Sequence, residues 1–140
     1  MAAFINEHFV PLHAHIKEHP AWFHRFNAVW TPTVLVMDGE GTERVRIEGY
    51  LSRPEFQAQL EMALGRIAFL HKRWPEAEQH YDTVVRQFPQ TKSAAEALYW
   101  RAVSHYKATQ DHTVLGAVAQ ELAKEHPESI WTEKALPWRG

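Results

Sequence analysis

Histidine is the reactive residue type that this sequence uses most freely, with ten in 140 residues. His13 and His15 share one face of a predicted strand, and His19 follows shortly after it. Together with Glu18 these side chains could supply the nitrogen and oxygen ligands of zinc or nickel. Polar positions on a half-solvated strand explain the same residues without a metal, and we therefore predict no metal and no cofactor.

Candidates for nucleophilic and acid–base chemistry are few. The sequence contains no cysteine, which excludes a thiol nucleophile, a disulfide and a cysteine-ligated metal within it. It contains neither a Gly-x-Ser-x-Gly motif nor a glycine-rich phosphate-binding loop. The acid pairs Glu76 with Glu78 and Asp38 with Glu40 suit a helix start and a tight turn. We therefore predict no catalytic residue.

Charge and composition limit the kinds of partner. The formal net charge is −2, which provides no electrostatic footprint for nucleic acid or for an anionic membrane surface. The start MAAFINEHFV lacks the pattern of a signal peptide, and no apolar run approaches the length of about 18 residues that spans a membrane. We expect a cytoplasmic protein without nucleic-acid or membrane partners.

The first part of the chain has the patterns of a small sheet region. Residues 2–7 resemble the end of a helix, and residues 9–16 alternate enough to predict a strand. A short helix is predicted over Ala21 to Phe26. The apolar run 33–37 and the alternating segment 44–50 flank a glycine-containing turn, which predicts a β-hairpin. The first hairpin strand has the pattern of a strand covered on both faces.

From residue 52 onward the hydrophobic period becomes that of helices. Prolines near the predicted starts and after the predicted ends delimit four helices, over residues 54–72, 75–88, 94–109 and 113–125. Residues 89–100 align without gaps to residues 127–138, with proline, Ala-Leu and tryptophan recurring together. This repetition predicts stacked helical hairpins that bury their apolar faces against one another.

One of these hairpins contains a spaced set of residues: Leu64, Gly65, Trp74, Ala77, Tyr81 and Pro89. Their spacing resembles that of a tetratricopeptide repeat. That family places a small residue where its two helices touch, an aromatic residue before the second helix, then alanine, an aromatic residue and a closing proline. A second repeat, over about residues 94–127, matches less closely. Because fewer than three repeats rarely stand alone, we expect the sheet region to cap the array.

A second family pattern is formed by the segment from Phe26 to Asp38, by Gly41 and by Gly49-Tyr50-Leu51. With these residues, the region 2–65 resembles the second half of a thioredoxin-like domain. In that family a Thr-Pro-Thr segment holds a cis proline beside the redox site, and the groove next to it accepts extended peptides. The resemblance implies a cis Thr31-Pro32 bond.

Residues of this loop are the binding residues that the resemblance implies. They are Trp30, Thr31, Pro32 and Thr33. The tryptophans could also form an aromatic recognition surface, although packing between repeats explains most of them. They are Trp22, Trp30, Trp74, Trp100, Trp131 and Trp138.

The resemblance is incomplete at the redox centre. In thioredoxin-like proteins a central strand ending in a Cys-x-x-Cys turn lies between the strand expected at 9–16 and the hairpin, and this sequence does not contain it. Its absence would leave backbone groups unpaired. Three alternatives remain open: another chain fills the gap, the strands pair differently, or Met1 is not the natural start.

These patterns together predict an α+β protein. We expect a partial, three-stranded thioredoxin-like sheet in residues 1–53 and a tetratricopeptide-like helical array in residues 54–140, with helix 54–72 shared. The leading functional prediction is a non-catalytic module that binds a protein or peptide through the repeats and the Pro32 groove. One alternative is the rear part of a thiol–disulfide oxidoreductase whose cysteines precede Met1. Another is a self-associating structural protein, a homodimer that completes the sheet.

Overall fold

The computed structural model describes residues 1–140 as two strands, seven α-helices and one 3₁₀ helix. The elements are α1 (Ala2–His8), α2 (Pro20–Arg25), β1 (Thr33–Met37), β2 (Glu43–Glu48), α3 (Arg53–Leu70), α4 (Trp74–Gln87), α5 (Ala94–Thr109), α6 (Thr113–Glu125), α7 (Ile130–Lys134) and the 3₁₀ helix η1 (Leu136–Trp138). The predicted α+β class is confirmed. The helices lie close to their predicted bounds, and α5 and α6 match them residue for residue.

The sheet is smaller than predicted, because it contains only β1 and β2. The strand expected at residues 9–16 was wrong: residues 9–15 have no regular structure, and a turn follows. A strand is stable only when neighbouring strands accept and donate its backbone hydrogen bonds, and here no strand flanks this segment. Pro11 also removes one donor. Alternation alone therefore did not produce a strand.

Strand β1 is also less covered than its apolar pattern predicted. Val36 is buried, whereas the other residues of β1 are half-buried. A strand is covered on both faces only where other elements pack against each side of its sheet, and the partial exposure of four of the five residues of β1 shows that this cover is incomplete. The prediction that β1 is covered on both faces was therefore wrong.

The turn of the β-hairpin is held by the buried carboxylate of Asp38. Its oxygens accept hydrogen bonds from the backbone N–H groups of Glu40 and Thr42, both at 3.0 Å, and from Arg44 Nε at 2.8 Å. The hydrogen bond from the Thr42 N–H has the largest influence on the pKa of Asp38, and it lowers that pKa. Burial of the carboxylate has the second largest influence and raises the pKa, but the net result is a lowered pKa. His71 Nε2 lies 3.8 Å from the same carboxylate. These contacts give Asp38 a structural role in the turn.

The helices from α3 to α7 form a layered array with an extensive core. Among its fully buried side chains are Tyr81, Val84, Leu98 and Leu122. Prolines stand in the first turns of α3 and α4, where the missing N–H costs no helical hydrogen bond. Helix α7 begins within the segment that repeats residues 89–100, as the internal alignment indicated. Consecutive helices therefore cover one another's apolar faces.

Two compact units divide the chain. The first contains residues 1–35 and 46–50, and the second contains residues 36–45 and 51–140. Ile47 is the buried hydrophobic residue of the first unit, and neither α1 nor α2 contains a buried residue. The other buried hydrophobic side chains belong to the second unit. The domain boundary predicted between residues 53 and 54 stays a prediction.

Candidate interaction surfaces

The loop before β1 has a well-anchored backbone. The Thr31-Pro32 bond is cis, which confirms the prediction for this bond. The Thr33 hydroxyl donates a hydrogen bond to the carbonyl oxygen of Trp30 at 2.6 Å. The N–H of Gly49, which has a φ of +87° that favours glycine, donates to the carbonyl oxygen of Pro32 at 2.8 Å. Both ends of the loop are therefore fixed.

Large apolar side chains lie exposed on this loop, next to it in sequence and just after β2. The exposed fraction is 67% for Trp30 and 79% for Val29, and it is 86% for Tyr50, which follows Gly49 after β2. Other exposed apolar residues of the first unit are Val10, Leu12, Ile16 and Trp22. Single exposed apolar side chains are common on proteins, so their number alone does not define a binding site.

Four aromatic rings in the second unit form a continuous series that we call the aromatic row: Trp74, Phe69, Trp100 and Trp131. The ring centroids of Phe69 lie 4.8 Å from those of Trp74 and 5.2 Å from those of Trp100. Trp100 and Trp131 follow at 6.2 Å. Each of the four side chains is half-buried. Because α3, α4, α5 and α7 contribute one ring each, the row crosses the successive layers of the array.

Tyr99 widens the row at the α7 end. Its ring stacks on Trp138 with centroids 4.6 Å apart and lies 5.1 Å from the ring of Trp131. Trp100 and Trp138 occupy equivalent positions in the two repeated segments of the sequence. That recurrence was the sequence signal for this surface, although the contacts between the rings depend on the packing of the helices.

Charged groups accompany the aromatic row. Lys107 Nζ lies 6.0 Å from the ring centroid of Trp74, and Lys134 Nζ lies 4.0 Å from that of Trp131. Glu96 is partly buried on α5. Its burial raises its pKa, whereas the charges of Lys134 and Arg66 and a hydrogen bond from Trp100 oppose that rise. The row thus combines apolar rings with exposed cations.

The tetratricopeptide-like residues lie mainly at helix contacts. A Cβ atom on Gly65 would be 2.7 Å from Cε1 of Tyr81, so α3 and α4 approach closely at this point. Ala77 and Tyr81 are buried and belong to one core cluster, whereas Leu64 is half-buried. Trp74 belongs to the aromatic row. Pro89 is exposed just after α4.

The histidines form no metal-binding arrangement. His13, His15 and His19 are exposed, and Nδ1 of His15 accepts a hydrogen bond from the N–H of Lys17 at 3.2 Å. No group of three or more histidine, aspartate or glutamate side chains is placed to hold a metal ion. His15 thus takes part in a local turn.

A polar cleft of about 230 Å³ lies among α4, α5 and α6. Arg101 makes ion pairs with Asp82 at 3.0 Å and with Glu121 at 3.7 Å, and His105 Nδ1 lies 3.0 Å from Glu78 Oε1. The charged groups lining the cleft therefore have partners within the protein. Their arrangement indicates a link between neighbouring helices.

Comparison with known proteins identifies both parts of the chain. Residues 2–64 match the thioredoxin-like domain, and residues 47–91 and 62–130 match the tetratricopeptide repeat. No curated protein matches the chain, and neither does any solved structure. None of its helices is both long and apolar enough to cross a membrane. The repeat matches together extend over residues 47–130, which is more than half of the chain. The chain therefore belongs to the tetratricopeptide repeat family, and its repeats follow a thioredoxin-like domain with which their match overlaps.

Proposed function

We propose that this protein is a non-catalytic interaction module that binds an extended segment of another protein along the aromatic row. The observation that carries the proposal is the continuity of the row: four half-buried rings from four helices lie within contact distance of their neighbours. Tetratricopeptide repeats generally mediate contacts between proteins, and the family match supports the same class of function.

The chemistry of the row suits a polypeptide. Tryptophan and tyrosine are the residues that most often dominate binding energy at interfaces, because they bury a large apolar area and retain a polar N–H or O–H group. Half-buried rings have their inner faces packed in the array, and their remaining surface is available to a partner. An extended segment that crosses the helices would contact several rings at once.

The loop containing Trp30, Thr31, Pro32 and Thr33 is a second proposed binding surface, in the first unit. Its support is the exposure of Trp30 on a backbone whose conformation is set by hydrogen bonds to Thr33 and Gly49. A fixed backbone loses little conformational entropy when a partner binds. The cytoplasmic location stays a prediction. The oxidoreductase alternative requires cysteines that this sequence lacks, and it also stays a prediction.

Selection from a displayed library of random peptides on the purified protein tests the proposal. We expect peptides to be enriched and a selected peptide to bind Trp131→Ala about tenfold more weakly than the unmodified protein, the loss of a typical interface anchor. Trp22→Ala is the matched control, since Trp22 is exposed and belongs to neither proposed surface. Circular dichroism checks that both variants fold. Selected peptides that bind Trp74→Ala and Trp131→Ala at full strength would contradict binding along the row.

Self-association is a second candidate function, favoured by the open edges of the two-stranded sheet and by the exposed apolar residues of the first unit. Light scattering coupled to gel filtration measures the mass of the particle. We expect twice the chain mass of 16.3 kDa if a second copy completes the sheet. A mass of 16.3 kDa at micromolar concentration would exclude this candidate.

A further inference from the structure

We propose that the segment bound along the aromatic row is acidic, with carboxylates that engage the cations beside the rings. This inference rests on the proposed function and specifies the class of partner. It follows from the position of two exposed lysines, Lys107 and Lys134, relative to the rings and from the lack of ion pairs at these cations.

The two lysines lie at opposite ends of the aromatic row. Lys107 is above Trp74, the first ring of the series, and Lys134 is above Trp131, the last. Arg66 on α3 is a third exposed cation, and its charge, like that of Lys134, lowers the pKa of Glu96 on α5. A segment that follows the row would meet positive charge at each end.

These cations are not neutralised by ion pairs. Four arginines of the second unit have carboxylate partners: Arg44 with Asp38, Arg73 with Glu76, Arg86 with Asp82, and Arg101 with Asp82 and Glu121. Arg66, Lys107 and Lys134 take part in no ion pair within 4.0 Å. The polar cleft has its own balanced charges, whereas the aromatic row keeps cations without bound carboxylates.

Glu96 is an acidic group beside the row. The carboxyl group is partly buried near Trp100; burial raises its pKa, whereas the charges of Lys134 and Arg66 lower it. Removing the negative charge of Glu96 makes the surface more positive, so replacement of Glu96 by glutamine is expected to strengthen the attraction of an acidic segment.

An acidic segment with interspersed apolar side chains complements this surface. Its apolar groups cover the rings, and its carboxylates reach the lysines without displacing them, because an ammonium group above a ring still has free N–H donors. A basic segment would bring like charges together and desolvate them. Attraction between exposed charges weakens as salt rises, which gives the proposal a second measurable property.

Peptides selected from the random library provide the test, and we expect them to carry net negative charge. One selected peptide is then compared with a version in which every Glu and Asp is replaced by Gln and Asn. We expect about tenfold weaker binding of the neutral peptide, and a similar loss for the selected peptide on the double variant Lys107→Gln and Lys134→Gln. Raising salt from about 50 to about 500 mM should weaken the original pair.

Lys124→Gln is the matched control, because Lys124 is an exposed lysine near the end of α6 and contacts no ring of the row. We expect it to leave binding within about twofold of the unmodified protein, and Glu96→Gln to tighten binding about two- to threefold. Fluorescence polarisation of the labelled peptide measures its affinity for four proteins: the unmodified protein, the double lysine variant, Lys124→Gln and Glu96→Gln. Unchanged thermal melts show that the substitutions leave the array folded.

The possible failures are distinguishable. Enrichment of neutral or basic peptides that still require Trp131 would overturn the acidic partner and leave the proposed function intact. A selected acidic peptide that binds the double lysine variant at full strength would overturn the role of the lysines. A library without any enriched peptide would overturn the proposed function, and a dimer that dissociates on Trp131→Ala would place a second copy on the row instead.

Discussion

The two compact units use their apolar residues in opposite ways. In the first unit, Val10, Leu12 and Val29 are mostly exposed, and both of its helices lack buried residues. In the second unit, Leu98 and Leu122 are almost completely buried, and two core clusters connect α3 to α7. The contrast arises in one chain of ordinary composition. It shows that hydrophobic content alone does not produce a core.

The physical reason lies in what each element can pack against. In the second unit, successive helices stack so that the apolar face of one covers that of the next. Helices α1 and α2 also form their backbone bonds internally, yet they bury no residue, and the two-stranded sheet leaves an open edge on each strand. The stacked helices therefore complete a core, whereas the first unit keeps exposed apolar side chains.

Leucine-to-alanine substitution in each unit tests this comparison and has the largest expected effect. Leu122→Ala removes a fully buried side chain from the α5–α6 core, and we expect a loss of about 3 kcal/mol in the free energy of unfolding. Leu12→Ala is the matched control. Leu12 is 80% exposed, and its loss should cost about 0.5 kcal/mol or less. Urea unfolding followed by circular dichroism measures both; equal losses would contradict the contrast between the units.

Glycine-to-alanine substitution at two helical sites sharpens the account of packing within the array. At Gly65 the new Cβ would lie 2.7 Å from a ring carbon of buried Tyr81, so we expect a loss of about 1–3 kcal/mol in stability. At Gly116 the nearest atom is the carbonyl oxygen of Trp138, at 3.4 Å. There the higher helix propensity of alanine should add about 0.5 kcal/mol or more.

Thermal denaturation of the two glycine variants measures these opposite effects. A stabilised Gly65→Ala variant would contradict the close approach of α3 and α4. A strongly destabilised Gly116→Ala variant would show that α6 and η1 lie closer together than the 3.4 Å contact indicates.

The hairpin turn belongs to the well-packed second unit. Asp38 contributes to the stability of this turn in a pH-dependent way, and we expect its effect to be smaller than those of the core substitutions. Because hydrogen bonds from Thr42 and other donors lower the pKa of Asp38, its stabilising effect is present above the ordinary value of 3.8 and is lost as pH falls below it. We expect Asp38→Asn to lower the melting temperature at pH 7 and to differ less from the unmodified protein near pH 3. Glu40→Gln, in the same turn, is the control. A constant difference across pH would show that the carboxylate charge has no part.

Sequence patterns predicted the elements whose signals are local. Hydrophobic periodicity and prolines near the helix ends predicted α4, α5 and α6. Proline acts locally, because its ring fixes φ and removes one backbone N–H donor. The prediction of a strand at residues 9–16 was wrong. Alternation shows which residues are apolar, but it does not show whether another strand is available to pair with the segment. Local signals thus sufficed for helices and were insufficient for a strand.

The candidate surfaces divide in the same manner. The cis Thr31-Pro32 bond was predicted because a short motif resembles a family in which that proline is cis. Trp74, Trp100 and Trp131 were considered as part of a possible aromatic recognition surface, but the continuous row with Phe69 was not predicted, since its rings meet only where α3, α4, α5 and α7 stack. The raised pKa of Glu96 likewise depends on burial, which periodicity does not describe.

The sequence by itself determined the α+β class, the order of the two family resemblances, the helical array and the lack of any thiol. Only the tertiary structure decided that the sheet has two strands, that Asp38 organises the turn, and that four rings and their neighbouring cations form one surface. The reason is the range of the interactions: periodicity and proline act within a few residues, whereas strand pairing, ring contacts and desolvation depend on residues that are distant in the chain.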